Sequence, residues 1–407
     1  MRGHGFVNKL EKSRESLMDR HALYNEMASR LRDHVANGTT DSAVDTLRVP
    51  ASQYTDADVW HKEMNGIFKS LPILVALSHE IPEKGDFKTL DVLGMPLLIC
   101  RQADGSAKVL MNVCSHRGMI LESRPSGNKK TFSCPYHAWT YGGDGRLRGV
   151  ADVVKFGEDC RGDRDLVVFP CHEEGGLIFA VLDPASECDI RSFLGEMMDD
   201  IGAKHFEDWH YVGQRVIHGA NWKVALDGYL EGYHFQAAHP ETIAPRTYTN
   251  IMAFEAYGPH MLVGYPAKTI EKLKDVPKDE LWEHENDGYD FIRLFFPNVS
   301  IFVAPEITQI AQLIPGPGPL ENTTVLHFIH HTKPEDAEAS AALEAMADWL
   351  KQVVDEEDYQ VGLQVQRGLQ SGHLADVIFG KNESGNQFAH RCIQYYAEGA
   401  EGEFPTL

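Results

Sequence analysis

The sequence predicts an α+β protein in which a β-rich segment, about residues 50–172, is inserted on a larger α+β domain. Two observations support this fold class. Residues 50–172 consist of short apolar runs broken by Gly, Pro and Asp, whereas the chain after residue 173 mixes such runs with helical patterns. We therefore divide the chain into an N-terminal helical segment (1–49) that packs on the larger domain, the β-rich domain (50–172) and the larger domain itself (173–407).

The first predicted element is a helix over residues 9–37. Its apolar stripe combines a repeat at intervals of seven with residues that widen it: Leu10, Leu17, Tyr24 and Leu31, then Leu23, Met27 and Val35. Asn37-Gly38 is a typical helix end, and residues 38–46 have the composition of a loop. A single apolar stripe indicates a helix packed on its own domain rather than a free coiled coil.

Strands are predicted where short apolar runs alternate with turn residues. The clearest runs are 88–101, 107–114, 130–141, 175–183 and 299–305. Gly142 to Leu147 has the residues of a hairpin turn. The longest helical pattern runs from Glu335 to Gln370, and Thr332 to Glu335 has the spacing of a capping box at its start.

Composition and charge exclude several classes of protein. The chain has 407 residues, of which 43% are hydrophobic and 24% charged, as in globular proteins. A net charge of −22 is unsuited to nucleic acid or an anionic membrane surface, because both bind Lys and Arg. No apolar run reaches the about 18 residues that cross a bilayer, and seven cysteines spread over a long chain do not resemble a disulfide framework. We expect a cytoplasmic protein whose clustered cysteines bind metal.

Two cysteines and two histidines form the first candidate site. Cys114-x-His116 is followed, after seventeen residues, by Cys134-x-x-His137. Each half places one sulfur and one nitrogen ligand on a tight turn, so the two turns together can bind zinc or hold a [2Fe–2S] cluster with both histidines on one iron. Zinc fingers usually pair Cys with Cys and His with His. The spacing therefore favours the cluster and leaves zinc as an alternative.

The second candidate site lies in residues 221–240, NWKVALDGYLEGYHFQAAHP. His234 and His239 are five positions apart, which is not one face of a regular helix, so we expect the helix to loosen near Phe235–Ala238 and to end at Pro240. Asp227 and Glu231 are four positions apart and are expected to share a helix face. Two imidazoles and one carboxylate on one side of a metal form the facial triad of non-haem Fe(II) oxygenases.

These motifs resemble those of the Rieske non-haem iron oxygenases, in the large (alpha) subunit of ring-hydroxylating enzymes, over about residues 50–370. C-S-H-R-G and C-P-Y-H-A-W are similar to the family's cluster motif, with Ala138 where many relatives have Gly, and N-W-K before an acid and H-x4-H is similar to its iron motif. The resemblance implies a catalytic domain with a central antiparallel sheet flanked by helices. It also implies that four residues bind a Rieske [2Fe–2S] cluster: Cys114, His116, Cys134 and His137.

The resemblance further implies that His234 and His239 bind a mononuclear Fe(II), whose third ligand is an acid on a late helix. Asp358 is the residue that matches the family's position, before Q-R-G at 366–368, and Glu357 is the alternative.

Two further acids are candidate catalytic residues. Glu231, three residues before His234, matches the carboxylate that the family places between the cluster histidine of one subunit and an iron-ligating histidine of the next. A buried carboxylate can accept an N–H from each imidazole and so couple two metals. Asp227 is the second candidate, because it lies four positions before Glu231.

The implied activity is that of a terminal oxygenase, which uses two electrons and O2 to hydroxylate, dihydroxylate or oxidatively demethylate a small organic substrate. An aromatic substrate, as in aromatic hydrocarbon catabolism, is the favoured interpretation, and a quaternary amine stays open. We expect the pocket to be lined from about residues 220–330, and residues 267–290 to be either a mobile cover or a plain surface excursion.

The expected partners follow from what the chain lacks and from the resemblance. Because we find no Gly-rich dinucleotide motif, electrons from NAD(P)H should come from a separate reductase, directly or through a ferredoxin. The resemblance implies a homotrimer that brings one subunit's cluster near the next subunit's iron. The alternative function is a Rieske electron carrier without oxygenase activity.

Overall fold

The computed structural model describes residues 4–157 and 162–407, with side chains from residue 20 onward. The chain divides into two compact units. One comprises Met1–Trp60, Gly195–Ala203 and Trp209–Leu407, and the other comprises His61–Leu194 and Lys204–Asp208. The boundaries taken from the sequence, after residues 49 and 172, stay predictions.

The first helix, α1, spans His4–Asn37 and is followed by β1, Leu47–Pro50. The predicted apolar stripe is buried where side chains are described, because Tyr24, Met27 and Leu31 expose at most 4% of their surface. Leu10 and Leu17 lie outside the described side chains. Gly38 ends the helix with a positive φ of 63°, and the predicted loop connects it to β1.

The second unit is rich in strands, as its short apolar runs predicted. The elements over this part of the chain are α2 (Ala57–Glu63), β2 (Ile73–Leu77), β3 (Asp86–Val92), β4 (Met95–Arg101), β5 (Ala107–Met111), β6 (Ser126–Asn128), β7 (Thr131–Ser133), β8 (Thr140–Gly142), β9 (Leu147–Gly149), α3 (Val153–Phe156), β10 (Val168–Phe169), β11 (Cys171–Glu174) and β12 (Leu177–Ala180). In the described residues they form antiparallel sheets in the orders β10-β5-β4-β3-β6, β11-β12-β2 and β7-β8-β9. The predicted turn between Gly142 and Leu147 connects β8 to β9.

The remaining elements are α4 (Ile190–Gly202), β13 (His210–Gly219), α5 (Trp222–Gly228), α6 (Phe235–Ala238), β14 (Ala253–Tyr257), β15 (His260–Pro266), β16 (Tyr289–Phe295), β17 (Val299–Phe302), β18 (Thr308–Pro315), β19 (Asn322–His330), α7 (Ala337–Val353), α8 (Gln360–Gln370), β20 (Asp376–Phe379) and α9 (Ser384–Ala397). Within the described chain, seven of these strands form one antiparallel sheet in the order β13-β19-β18-β17-β16-β15-β14. The predicted α+β class with a central antiparallel sheet and flanking helices is therefore confirmed. No helix in the described ranges has the length and apolar character to cross a bilayer.

Residues 267–290 are held against α1. They form 3₁₀ turns at Lys268–Leu273 and Lys278–His284. The Asn25 amide donates to the Asp279 carbonyl (3.1 Å), and its oxygen accepts from the Trp282 backbone (2.7 Å). These contacts favour the plain surface excursion over the mobile cover.

One long helical segment carries the third metal-ligand candidate. α7 continues through a π-helical turn at Val354–Tyr359 into α8. Its cap is Asp336, whose carboxylate accepts from the Ala339 amide (2.8 Å). The capping box predicted at Thr332 to Glu335 is therefore wrong, because the helix begins later and is capped by an aspartate at its own N-terminus.

Candidate metal centres and active-site cavity

The first cluster loop is a tight turn between β5 and β6. The Cys114 amide donates to the Met119 carbonyl (2.8 Å), and the Gly118 amide donates to the Cys114 carbonyl (2.9 Å). Gly118 has a positive φ of 77°, a conformation that favours glycine. These hydrogen bonds place the Cys114 and His116 side chains on one short turn.

The second cluster loop, between β7 and β8, repeats this geometry. The Cys134 amide donates to the Trp139 carbonyl (2.8 Å), and the Ala138 amide donates to the Cys134 carbonyl (2.9 Å). Ala138 has a φ of 57° and occupies the place that Gly118 has in the first loop. An alanine there carries the strain of a left-handed residue with a Cβ atom.

The four predicted cluster ligands are brought together. Cys114 and Cys134 are buried in one apolar core, and the His116 and His137 ring centroids lie 4.7 Å apart. His137 Nδ1 is shielded from solvent and has no hydrogen-bond partner among the described residues. Two buried thiols and an unsatisfied imidazole nitrogen fit a group bound by sulfur and nitrogen, because a buried polar atom without a partner is unfavourable.

Two thiols and two imidazoles on paired loops form a donor set for a zinc ion or for a two-iron cluster with both histidines on one iron.

Tyr141 lies beside the cluster loops. Its hydroxyl is 3.4 Å from Cys114 Sγ and 2.9 Å from Ser115 Oγ, and it accepts from the Ser115 amide (3.2 Å). Burial, with the Cys114 contact, raises the pKa of Tyr141 to about 12. The phenol therefore stays protonated and lies next to the sulfur.

The iron-ligand candidates form a second, tighter group. Asp358 Oδ1 lies 2.9 Å from His239 Nε2 and 3.5 Å from His234 Nε2. His239 is 1% exposed, and the other two side chains are about a quarter exposed, at 23% and 28%. Two Nε2 atoms and a carboxylate oxygen converging on one point fit a divalent ion of the facial-triad type.

A carboxylate accepts from the outer nitrogen of each imidazole. Glu231 Oε1 contacts His234 Nδ1, and Glu231 also accepts from the His234 backbone amide. Glu357 Oε2 lies 2.5 Å from both His239 Nδ1 and Thr242 Oγ1. Such acceptors hold the Nδ1–H tautomer and leave Nε2 directed at the ion.

The charges of this group are strongly coupled. Burial alone would lower the pKa of His234, but hydrogen bonds to Asp358 and Glu231 outweigh it and raise that pKa to about 9. The pKa of His239 is also raised, because Asp358 and Glu357 outweigh its burial. Burial opposes ionisation of Asp358, yet the two imidazoles hold its pKa below the ordinary value. A divalent cation that binds here replaces the imidazole protons as the positive charge.

The backbone that presents the histidines differs from the sequence prediction. Asn221 caps α5 by accepting from the Lys223 amide (2.8 Å), and the helix ends at Gly228. Glu231 lies beyond this end, so the expectation that Asp227 and Glu231 share a helix face is wrong.

The loosening predicted at Phe235–Ala238 is wrong, whereas the helix end predicted at Pro240 is confirmed. Residues 235–238 are the helical turn α6, with His234 at its N-cap and His239 at its C-cap. The chain leaves helical geometry at His239, which has φ −120° and ψ 48°. Because of this break, the His234 and His239 side chains point to the same side although they are five residues apart.

Asp227 belongs to a separate buried network. Its carboxylate accepts from the Tyr54 hydroxyl (2.8 Å) and contacts His390 Nε2 (2.9 Å). Tyr54 and His390 also contact each other at 3.2 Å. Among the described residues Asp227 makes no hydrogen bond to the two iron-site imidazoles, although it lines a cavity of about 260 Å³ together with Glu231, His234 and Asp358. Nothing local in the sequence indicated its partners Tyr54 and His390.

A cavity of about 290 Å³ is lined in part by the iron-ligand candidates. Its wall includes Phe235, Tyr265, Asp290, Ile292, Phe302 and Trp349. Phe235 and Phe302 come from the expected range, as does Asp290, which the sequence reading did not single out. With Tyr229, five aromatic rings line this cavity beside the metal site, which suits a small organic molecule.

The comparisons with known proteins agree with this geometry. The Rieske [2Fe-2S] domain family matches residues 72–172, and the catalytic domain of the ring hydroxylating alpha subunit matches residues 206–399. The chain belongs to the Rieske non-haem iron oxygenases, as a large (alpha) subunit. It is a Rieske-type terminal oxygenase, with a [2Fe–2S] cluster and a mononuclear iron as cofactors. The electron-carrier alternative is not supported.

Individual relatives include several substrate classes. The chain is 27% identical to the carnitine monooxygenase oxygenase subunit of Escherichia coli K12, over 86% of this chain and 91% of that protein. It is 30% identical to the anthranilate 1,2-dioxygenase large subunit of Acinetobacter baylyi, over 47% and 42%. A quaternary ammonium Rieske monooxygenase in complex with L-carnitine has a TM-score of 0.72 at 23% identity, over 88% and 96%. Naphthalene 1,2-dioxygenase from Rhodococcus sp. has a TM-score of 0.71 at 18% identity, over 93% and 99%.

Proposed function

We propose that this terminal oxygenase oxidises a small compound that carries a quaternary ammonium group. The observation that carries the proposal is the cavity beside His234, His239 and Asp358, whose wall contains five aromatic side chains. Aromatic faces bind quaternary ammonium groups through cation–π attraction. The match to a carnitine monooxygenase oxygenase subunit, which extends over most of this chain, supports the same substrate class.

A second candidate substrate class is an aromatic carboxylate. Arg246 lies at the cavity wall with its guanidinium 5.7 Å from the Trp349 ring centroid, where it can meet a carboxylate. Matches to anthranilate and toluate dioxygenase subunits cover about half of the chain and favour this class. Aromatic hydrocarbon catabolism, expected from the sequence, belongs to this second candidate.

The residues divide into holding and orienting roles in this proposal. The cluster is held by Cys114, His116, Cys134 and His137, and the iron by His234, His239 and Asp358. When bound, these groups supply one-electron transfer and ferrous activation of O2. Glu231 and Glu357 orient the imidazoles through Nδ1, while the aromatic wall excludes water from the cavity. Glu357 is therefore an orienting residue, and Asp358 the third ligand.

The proposal includes a homotrimer in which Glu231 accepts from a cluster histidine of a second copy. Exposed apolar side chains surround both centres: Met119 (41%) and Tyr136 (58%) at the cluster loops, and Tyr233 (62%), Val361 (50%) and Val365 (45%) near the iron ligands. A second copy that covers both patches removes this apolar surface from water. Asp227, with Tyr54 and His390, positions the end of α5 in this arrangement.

The partners, location and domain boundaries complete the proposal. Electrons from NAD(P)H reach the cluster from a separate reductase, directly or through a ferredoxin, in the cytoplasm. The domains are an N-terminal helical segment (1–49), the Rieske domain (50–172) and the catalytic domain (173–407).

An EPR experiment on the reduced protein treated with nitric oxide tests this function. We expect a reduced-cluster signal and a separate signal from the nitric oxide complex of the ferrous site. Choline, glycine betaine or L-carnitine should change the second signal, whereas benzoate and anisole should not. A change only with benzoate supports the aromatic carboxylate. Absence of the ferrous signal after Fe(II) reconstitution contradicts the assignment of His234, His239 and Asp358.

A further inference from the structure

Asp290 is an acid in the cavity wall that has no role in the metal centres. It lies on β16, where side chains alternate between the two faces of the sheet. Asp290 and Ile292 face the cavity, while Phe291 on the opposite face packs against Tyr24 of α1 (ring centroids 4.9 Å apart). The strand therefore directs this carboxylate to the substrate side.

Asp290 lies where two cavities adjoin. A larger cleft of about 860 Å³ shares Asp290, Arg246, Phe302 and Trp349 with the cavity beside the iron ligands. Asp290 therefore lines both the cleft and the cavity beside the metal site.

The Asp290 carboxylate lacks a cationic partner in the described chain. Its hydrogen bond comes from the Asn286 amide (3.1 Å), in the amide orientation that also donates to the Val303 carbonyl (2.7 Å). Burial, and then the charges of Glu285 and Glu306, raise the pKa of Asp290 to about 6. The group is ionised at neutral pH and partly desolvated, so a cation placed beside it is favourable.

Two aromatic residues neighbour Asp290 in the sheet. Tyr265 is its direct cross-strand partner in the β15–β16 pairing, and Phe302 pairs with Ile292, two positions along β16. Directly opposed side chains in an antiparallel sheet have Cβ atoms about 5 Å apart, and diagonal ones remain within reach of a ring. A carboxylate and aromatic rings on one cavity wall suit a trialkylammonium group, which has no N–H to donate but carries a diffuse positive charge.

We propose that Asp290 is the specificity-determining residue that selects a cationic nitrogen over a neutral or anionic group of the same shape. This inference rests on the proposed function, because it names the residue by which an ammonium substrate is recognised. Arg246 is exposed at the cleft side and forms the competing site that an aromatic carboxylate would use.

The test compares choline with its neutral isostere 3,3-dimethyl-1-butanol, by calorimetric titration of the metal-loaded protein. We expect choline to bind about tenfold more tightly, and Asp290→Asn to remove this preference, as truncation of one partner of a desolvated charge pair does. Asp290→Glu should retain part of the preference. Asp275→Asn, which removes an exposed acid outside both cavities, should leave it unchanged. The visible spectrum of the cluster and the iron content report that each variant is folded.

The outcomes separate the two levels of the proposal. Tight choline binding that is equal in wild type and Asp290→Asn overturns the role of Asp290 and leaves the ammonium substrate intact. Benzoate binding with no choline binding overturns both. Should Asp290→Asn not fold, the wild-type ratio decides, because choline binding no tighter than its isostere also overturns the inference.

Discussion

Replacing Glu357 by Gln should weaken binding of Fe(II) at the catalytic centre without abolishing it. Glu357 Oε2 accepts from both His239 Nδ1 and Thr242 Oγ1 at 2.5 Å. The amide keeps one acceptor oxygen but loses the charge that makes His239 a stronger donor to iron. Loss of such a partner costs about 10–100-fold in metal affinity. We expect a loss at the lower end for Glu357→Gln, which is about 1.4 kcal/mol for tenfold.

The assay is an anaerobic calorimetric titration of the iron-free catalytic site, with the cluster absorbance as an internal standard for protein. Glu356→Gln is the matched control, because Glu356 is an exposed neighbour that accepts from Gln352 (3.1 Å). Asp358→Asn should lose iron binding. If Glu357→Gln lost all binding while Asp358→Asn kept it, the two acids would have exchanged roles; wild-type affinity in Glu357→Gln would refute the orienting role.

Three further predictions concern the cluster loops and the link between the centres. Tyr141→Phe removes a hydroxyl next to Cys114 Sγ and should lower the cluster's reduction potential by about 60 mV, which is about 1.4 kcal/mol for one electron; an unchanged voltammogram would contradict this. Ala138→Gly relieves a left-handed conformation and should raise the free energy of unfolding by about 0.5–1 kcal/mol, the strain less the added flexibility of glycine; a urea midpoint that does not rise would count against it. Glu231→Gln should keep both metals but slow cluster reoxidation with substrate and O2 about 10–100-fold in stopped-flow, because His234 loses its charged acceptor; full activity would end the proposed coupling role.

Local patterns predicted the parts of the fold and site that depend on neighbouring residues. The spacing of Cys114, His116, Cys134 and His137 indicated two tight turns, and each turn is closed by its own backbone hydrogen bonds. The alternation of apolar and turn residues located the strands for the same reason. The ligand types at these positions further indicated the cofactor chemistry.

Contacts between distant segments were not predictable in this way. Asp227 finds its partners in Tyr54 and His390, which are 173 and 163 positions away in sequence. The sequence predicts that side chains alternate between the two faces of the strand that contains Asp290, but it does not tell which face lies on the side of the metal site. Glu357 and Asp358 reach different nitrogens of His239 because they lie in a π-helical turn, and a helical period of 3.6 residues does not predict such a turn.

The π-helical turn at Val354–Tyr359 has a consequence for comparing this chain with others. Such a turn contains one more residue than an α-helical path, and it supplies both acids that meet His239. Removing the extra residue would leave a regular α-helix whose later side chains keep their orientation, including Gln366, which accepts from the Asn221 amide at the start of α5 (3.0 Å). A related sequence with a regular helix here therefore aligns only with a one-residue gap inside the turn. The acid that corresponds to Asp358 in such a sequence is found by counting back from the residues after the gap.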